Sequence, residues 1–180
     1  MILFRHCDRR FAFLWETADQ PAARWHGDGE GPVQYFSDTP SGAWAEFLRH
    51  EDITDERDLE GVQRALWAVE VPLEGMRVAE PALKSPALLG GLQSYERCRV
   101  EARRLRFEGA QAIKAPPAAL KSGGAGGWKV DDGERESDPR DGIAYAVFGK
   151  QPACRGWPVV DAGTAPVRVL PRVRHLDARS

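Results

Sequence analysis

Residues 24–50 read RWHGDGEGPVQYFSDTPSGAWAEFLRH, and this run predicts a turn, a strand and a helix in succession. Glycines at positions 27, 29 and 31, followed by Pro32, indicate a tight turn. Short segments that suit strands flank the turn at 24–26 and 33–36. We therefore predict a β-hairpin in which these two segments pair with each other.

The same run then carries the signals of a helix start. Thr39 is a favourable N-cap residue, and Pro40 suits the first helical position because its missing N–H needs no partner there. The apolar stripe of this helix consists of Ala43, Trp44, Phe47 and Leu48. The helix should end near His50. Glu46 lies off the stripe, on the same side as Arg49, so the pattern alone predicts a solvated carboxylate.

The remaining pattern predicts a single α+β domain over residues 1–180, with short mixed or antiparallel strands and two or three helices. Strands are predicted at 2–6, 11–14, 65–71 and 143–148, with an edge strand at 167–173 that Pro171 interrupts. A second helix should run from Ser94, its N-cap, to Phe107, with Gly109 closing it. A Rossmann fold is not expected, because no GxGxxG motif follows a strand.

Residues 121–142 are rich in Gly, Asp and Glu and contain the isolated Trp128. This composition predicts a mobile surface loop around a short strand.

The composition favours a soluble protein without a metal site. The chain has 180 residues, 42% of them apolar, and a net charge of −2, so it can form a core and has no overall attraction for nucleic acid or anionic membrane. Its first apolar run is too short for a signal peptide, and no segment is long enough to span a membrane, which favours a cytoplasmic location. Cys7, Cys98 and Cys154 include no CxxC pair, and the four histidines are scattered. Cys98 is expected in the core.

The second predicted helix has a basic outer side. Its arginines are Arg97, Arg99, Arg103, Arg104 and Arg106. Such a face can bind phosphate or an acidic partner. We favour a solvated face that is partly paired with Glu96, Glu101 and Glu108.

Three stretches of the chain resemble the signature of the RES domain family. They are Arg24-Trp25-His26, residues 31–35 (GPVQY) and residues 39–50 (TPSGAWAEFLRH). The signature has an Arg followed by an aromatic residue, a strand that ends in Tyr, and a helix that carries A-x-x-E and a trailing His. The resemblance continues less sharply through residues 109–116 and into Ala144, Val147 and Phe148.

The resemblance implies an NAD-degrading enzyme with a fold like that of the ADP-ribosyltransferases. RES proteins are small bacterial toxins of toxin–antitoxin pairs. They cleave NAD by hydrolysis, as NAD glycohydrolases, or by phosphorolysis, as NAD phosphorylases, so that NAD is the substrate and no cofactor is expected. An Xre-type helix-turn-helix antitoxin usually neutralises them by placing its C-terminal part in the cleft.

The family's key Arg, Tyr and Glu correspond to Arg24, Tyr35 and Glu46. Because nicotinamide is already a cationic leaving group, the Glu46 carboxylate would need only to stabilise the oxocarbenium-like charge on the ribose. Arg24 would hold diphosphate or ribose oxygens, and Tyr35 would stack on the nicotinamide. Trp25 and Pro117 are expected to border the substrate. Pattern alone favours plainer interpretations, namely a surface arginine, a core tyrosine and a solvated carboxylate.

Pro117 departs from the family pattern, which has a Ser at this position. Proline has neither a hydroxyl nor a backbone N–H, and Ser122 would need a different loop path to replace it. This departure favours an alternative, a RES-fold binding module with weakened catalysis. Another alternative is transfer of ADP-ribose to a macromolecule, because the chemistry up to the oxocarbenium step is shared. The predicted edge strand at 167–173 would also allow a homo-oligomer.

Overall fold

The computed structural model of the protein describes residues 1–176, and a seven-stranded sheet organises them. Its strands are β1 (Ile2–Asp8), β2 (Val33–Ser37), β3 (Arg64–Glu70), β4 (Val78–Ala79), β5 (Ala112–Ala115), β8 (Ala144–Phe148) and β9 (Arg155–Gly163), and a separate hairpin contains β6 (Trp128–Val130) and β7 (Glu134–Glu136). The α-helices are α1 (Pro40–His50), α2 (Ser85–Leu89) and α3 (Tyr95–Phe107). The predicted domain extended to Ser180, and its residues 177–180 lie outside the described part.

The strand order is β4-β5-β8-β2-β1-β3-β9, and every neighbouring pair is antiparallel except β4–β5. Successive side chains of a strand point to opposite faces of a sheet. On β2, Val33 and Tyr35 face α2 and α3, whereas Phe36 faces the opposite core. Phe4 of β1 is paired with Ser37 and packs towards α1. All three helices therefore cover one face of the sheet, and the predicted α+β class is confirmed.

Helix α1 forms as predicted. The Thr39 hydroxyl accepts a hydrogen bond from Gly42 N–H at 3.1 Å, and Pro40 occupies the first turn. The predicted apolar stripe is buried. The predicted solvated carboxylate, Glu46, is partly exposed, whereas Arg49 on the same side of the helix is only 1% exposed. The reason is that two segments, one at Ala118 and one at Arg174, cover this end of the helix and accept hydrogen bonds from Arg49.

Helix α3 also lies where the pattern placed it, and Cys98 is fully buried in its packed face. Ser94 occupies the N-cap position but makes no capping bond, because its hydroxyl donates to the Gly91 carbonyl at 2.7 Å. After the helix, Gly109 adopts a φ of 89°, in the left-handed region that favours glycine.

The basic outer side of α3 is largely exposed and partly ion-paired, which agrees with the favoured interpretation. Arg104 lies 2.8 Å from Glu101 and 2.6 Å from Glu108. Arg103 pairs with Glu96 at 3.3 Å and with Glu30 at 2.6 Å. These arginines therefore have carboxylate partners within the protein.

The predicted hairpin between 24–26 and 33–36 is wrong. Strand β2 pairs with β8 along its whole length and with β1 at Ser37, and residues 24–26 pair with neither edge of it. That segment instead turns back on itself through an isolated bridge between Ala23 and His26.

The strand expected at 11–14 is also absent, because these residues cover a face of the sheet instead of extending it. The Phe13 ring stacks on Trp67 with 4.8 Å between ring centroids.

The edge strand predicted at 167–173 is a 3-10 helix at Val167–Arg172. Its alternating valines, Val169 and Val173, pack into the same core as α1, which a short helix allows as well as a strand does. The observed edge strand on this side is β9, which the pattern did not predict, and α2 was likewise not predicted. Any homo-oligomer through a strand at 167–173 therefore loses its structural basis.

The segment 121–142 contains the β6–β7 hairpin instead of one short strand, and Arg168 lies over the ring of Trp128 at 4.8 Å. Its mobility stays a prediction. In the described part of the chain, no helix has both the length and the apolar composition needed to cross a bilayer. Residues 1–176 also contain no group of three metal-ligating side chains.

Candidate functional site

Arg24 is buried and hydrogen-bonds to residues 87–94, the segment that precedes α3. Its side chain donates from Nη1 to the Ala87 carbonyl at 3.2 Å and to the Ser94 hydroxyl at 3.3 Å, and from Nη2 to the Gly90 carbonyl at 2.8 Å. The guanidinium also lies over the Tyr95 ring, 4.5 Å from its centroid. Arg24 is 8% exposed, so the interpretation as a surface arginine is wrong. Its hydrogen bonds therefore go to groups of the protein.

Tyr35 lies on the same face of β2 as Val33, and its hydroxyl joins a local network. The hydroxyl accepts from the Trp25 N–H at 3.0 Å and lies 2.9 Å from His26 Nδ1. His26 Nε2 is 3.0 Å from the Pro21 carbonyl, which can only accept, so Nε2 carries the proton. Burial lowers the pKa of His26 and favours this neutral form. His26 Nδ1 therefore accepts the Tyr35 O–H.

The Tyr35 hydroxyl therefore both donates and accepts a hydrogen bond within the protein. Burial also raises the pKa of Tyr35, so the group stays protonated. The ring is packed against the core that contains Val33 and α3. Ligand contact by Tyr35 would therefore use the ring and not the hydroxyl proton.

The substitution Tyr35→Phe is expected to lower the free energy of unfolding by about 1–3 kcal/mol, since the Trp25 N–H and His26 lose a partner in a buried setting. Denaturant unfolding at neutral pH measures this loss. Tyr145→Phe is the matched control, because the Tyr145 hydroxyl makes no hydrogen bond within residues 1–176, and it should change stability by less than about 0.5 kcal/mol. Equal effects of the two substitutions would contradict the network.

Glu46 is on α1, and its side chain is 29% exposed. Its Oε1 accepts a hydrogen bond from the Ala119 N–H at 3.3 Å, and its Oε2 lies 3.7 Å from His50 Nε2. Within residues 1–176, no arginine or lysine forms an ion pair with this carboxylate. Glu46 is therefore anchored at one oxygen and partly open to solvent, with His50 beside its other oxygen.

Two further residues of the site, Arg49 and Tyr95, were not singled out by sequence reasoning. Arg49 donates from Nη2 to the Gly90 carbonyl at 2.7 Å, the acceptor that Arg24 also uses. From Nη1 it donates to the Ala118 carbonyl and, at 3.0 Å, to the Arg174 carbonyl. Burial lowers the pKa of Arg49, and the nearby Glu46 charge opposes this shift.

Tyr95 lies close enough to Arg24, Glu46 and Arg49 for their charges to affect its pKa. Burial raises the pKa of Tyr95, the charge of Arg24 lowers it, and Glu46 and Arg49 act on it more weakly. Tyr95 is the first residue of α3, and nothing in the local sequence pattern connects it with Arg24.

The three predicted residues thus belong to one connected network. Arg24 and Arg49 share the Gly90 carbonyl, Glu46 and Arg49 lie on the same helix, and Tyr35 is joined to the Arg24 segment through the Trp25 N–H. None of Arg24, Tyr35 and Glu46 hydrogen-bonds directly to another of the three.

The residues predicted to border the substrate are in different places. Trp25 is 4% exposed and lies in the core against α3. Pro117 is on the wall of a cavity of about 390 Å³ that also includes Leu89, Lys114, Lys121 and Arg174. A shallower depression of about 720 Å³ around Asp55 and Thr164 contains none of the candidate residues. Of the five predicted site residues, only Pro117 lines the first of these cavities; Arg24, Tyr35, Trp25 and Glu46 do not. Glu46 is connected to it through Ala119, on the loop that carries Pro117. We take this cavity as the candidate site because of that loop.

Comparison with known proteins yields a family and a fold. The family model described as the RES domain matches residues 2–168. A similar solved structure is a chain of the M. tuberculosis MbcT–MbcA toxin–antitoxin complex, with a TM-score of 0.52, 14% sequence identity, and coverage of 89% of this chain and 84% of that chain. A sequence comparison with curated proteins finds no significant match. At 14% identity, the structural likeness shows a shared fold.

Proposed function

The chain belongs to the RES domain family, and from this we propose that it degrades NAD in the cytoplasm by cleaving the bond between nicotinamide and ribose. The observation that supports the proposal most is the state of Glu46. Its carboxylate is held by the Ala119 N–H, is partly open to solvent, and has no arginine or lysine ion-pair partner in the described residues. A carboxylate that is fixed in this way and has no arginine or lysine ion pair is suited to stabilise a developing positive charge.

The proposed reaction needs little from the protein beyond that charge. When the C–N bond to nicotinamide breaks, its electron pair leaves with the nicotinamide nitrogen, and positive charge develops on the ribose. An oxygen of water or phosphate then bonds to the same ribose carbon. When water is the acceptor, its extra proton passes to solvent. Glu46 would lower the free energy of the charged state between these two events.

The contacts of Arg24 support a positioning role in place of direct phosphate binding. All of its observed partners are protein groups between residues 87 and 98, and these hold the start of α3 and the Tyr95 ring in place. A substrate phosphate would have to displace at least one of these bonds. We therefore assign Arg24 to maintaining the shape of the site.

Pro117 favours a second candidate function, a nucleotide-binding module with little turnover. It lies on the cavity wall and is buried there, and it cannot donate a hydrogen bond to a ligand. If the lost donor is essential for catalysis and not for binding, the protein would bind NAD without consuming it.

An antitoxin partner is part of the proposal. The similar structure named above is described as a toxin–antitoxin complex. We propose that this chain is the toxin of such a pair and that its partner is an Xre-type helix-turn-helix protein.

Loss of NAD and formation of nicotinamide by the purified protein, followed by chromatography with and without phosphate, test the proposal. We expect nicotinamide to form together with ADP-ribose if water is the acceptor, or with a phosphorylated ADP-ribose if phosphate is. NAD binding without product formation would favour the binding module. A protein that neither binds NAD nor consumes it would contradict both functions.

A further inference from the structure

Residues 172–174 contribute one side chain, that of Arg174, to the wall of the cavity. Lys121 N–H donates to the Arg172 carbonyl at 2.8 Å, and Arg174 N–H donates to the Ala119 carbonyl at 2.6 Å. These bonds place the segment alongside the loop that carries Pro117. Residues 172–174 lie beyond the part of the chain that the family model matches, which ends at residue 168. Arg174 is therefore the one lining residue that lies outside the matched range.

Three cationic side chains line the cavity, those of Lys114, Lys121 and Arg174. Each of them contacts other groups of the protein. Lys114 lies 3.3 Å from Glu80, and Lys121 donates to the Pro171 carbonyl at 2.9 Å. The lining also contains two carboxylates, Glu80 and Asp141. Glu80 is the partner of Lys114, and Asp141 Oδ1 accepts from the Ser122 hydroxyl at 2.7 Å and from the Gly123 N–H at 2.8 Å. Arg174 differs from Lys114 because no carboxylate among residues 1–176 forms an ion pair with it, and its guanidinium has more donor groups than the protein carbonyls beside it use.

The guanidinium of Arg174 is oriented by only one of its nitrogens. Its Nη1 donates to the Ala118 carbonyl at 2.9 Å and to the Pro117 carbonyl at 3.4 Å. Its Nη2 and Nε make no hydrogen bond to any group in residues 1–176. A guanidinium can present such a pair of N–H groups to two oxygens of one phosphate, with favourable charge and geometry.

The remaining wall is apolar and suits the nucleoside part of such a ligand. Leu89, Leu120 and Ile143 line it, together with the ring of Pro117. Apolar walls with a few polar groups that fix orientation are typical of small-molecule sites.

We propose that Arg174, supplied by the C-terminal segment, anchors the diphosphate of the dinucleotide in this cavity. This assignment rests on the proposed function, because it takes the cavity as the site of NAD. It provides the anionic part of the substrate with a cation that Arg24, held by protein carbonyls, does not offer.

Titration of ADP-ribose into the full chain, followed by calorimetry, tests the assignment. Arg174→Gln should weaken binding by about 10- to 100-fold, since a charge-assisted hydrogen bond contributes about 1.5–3 kcal/mol and 1.4 kcal/mol is tenfold in affinity. Arg168→Gln removes the same charge from the same part of the chain, but Arg168 stacks on Trp128 away from the cavity. It should leave the affinity within about twofold.

If Arg174 only stabilised the fold, Arg174→Gln would lose affinity because it loses stability. A role in binding predicts a loss of affinity at unchanged stability. Glutamine can still donate to the Ala118 carbonyl, so the melting temperature of Arg174→Gln should stay close to that of the wild type. Arg174→Lys keeps the charge and should recover part of the affinity, and the dependence of binding on salt should be weaker in Arg174→Gln than in the wild type.

Unchanged ADP-ribose affinity in Arg174→Gln, or an equal loss in Arg168→Gln, would overturn the assignment while leaving NAD degradation intact. A wild-type chain that binds neither ADP-ribose nor NAD would overturn the assignment and the proposed function together.

Discussion

Replacing Glu46 with Gln is expected to lower the rate of NAD cleavage by about a hundredfold or more, which is typical of losing one preorganised electrostatic group at a reacting centre. Glutamine has nearly the same shape, and its carbonyl oxygen can still accept from the Ala119 N–H. The substitution therefore removes the negative charge and leaves the anchor. Initial rates of nicotinamide release at saturating NAD measure the effect, because the lost interaction belongs to the charged transition state and not to substrate binding.

Glu51→Gln is the matched control for Glu46→Gln. Glu51 follows the same helix at its C-cap, is exposed, and carries the same charge. Its substitution should leave the rate within about twofold of the wild type, and circular dichroism should show that both variants are folded. A Glu46→Gln variant that keeps more than about a tenth of the wild-type rate would remove Glu46 from the centre of the mechanism.

Arg49→Met is expected to destabilise the protein by about 3 kcal/mol, the largest effect on stability that we predict for a single residue of the site. Methionine fills a similar length but donates no hydrogen bond. The Gly90 and Ala118 carbonyls would keep a second donor, Arg24 and Arg174 respectively, whereas the Arg174 carbonyl would lose the donor that Arg49 supplies. For a domain of this size, the loss corresponds to a melting temperature lower by about 6–12 °C.

Two variants calibrate that measurement. Arg49→Lys retains a cationic donor and should lose less stability than Arg49→Met. Arg57→Met removes an arginine whose side chain is 85% exposed, and it should change stability by less than about 0.5 kcal/mol. If Arg49→Met were as stable as Arg57→Met, the buried guanidinium would not hold the three segments together.

These two residues connect stability with chemistry at one end of α1. Glu46 contacts the Ala119 N–H and Arg49 contacts the Ala118 carbonyl, so the same short loop positions the carboxylate and is itself held by the buried cation. The loop also carries Pro117 on the cavity wall. A change in this loop should therefore affect folding and turnover together.

The local pattern predicted the elements that depend on nearby residues. Thr39 and Pro40 start α1 and its apolar stripe packs inward, as spacing alone indicated. The strands around 2–6, 65–71 and 143–148 are also present, because apolar runs of that length fit strands that are buried in a sheet. The pattern was wrong at 24–26, 11–14 and 167–173, where the same short apolar segments cover the sheet or α1 instead of joining the sheet.

The amino-acid sequence by itself determined the class of fold, the family signature and the positions of α1, α3 and most central strands. It could not determine that Arg24 and Arg49 are buried, or that Arg174 reaches the cavity. Whether an arginine is buried depends on carbonyl acceptors that come from elsewhere in the chain. For Arg49 these acceptors lie 41, 69 and 125 residues away in sequence. Only the tertiary structure brings them to one point, because the periodicity of a helix records its own turns and not the segments that later cover it.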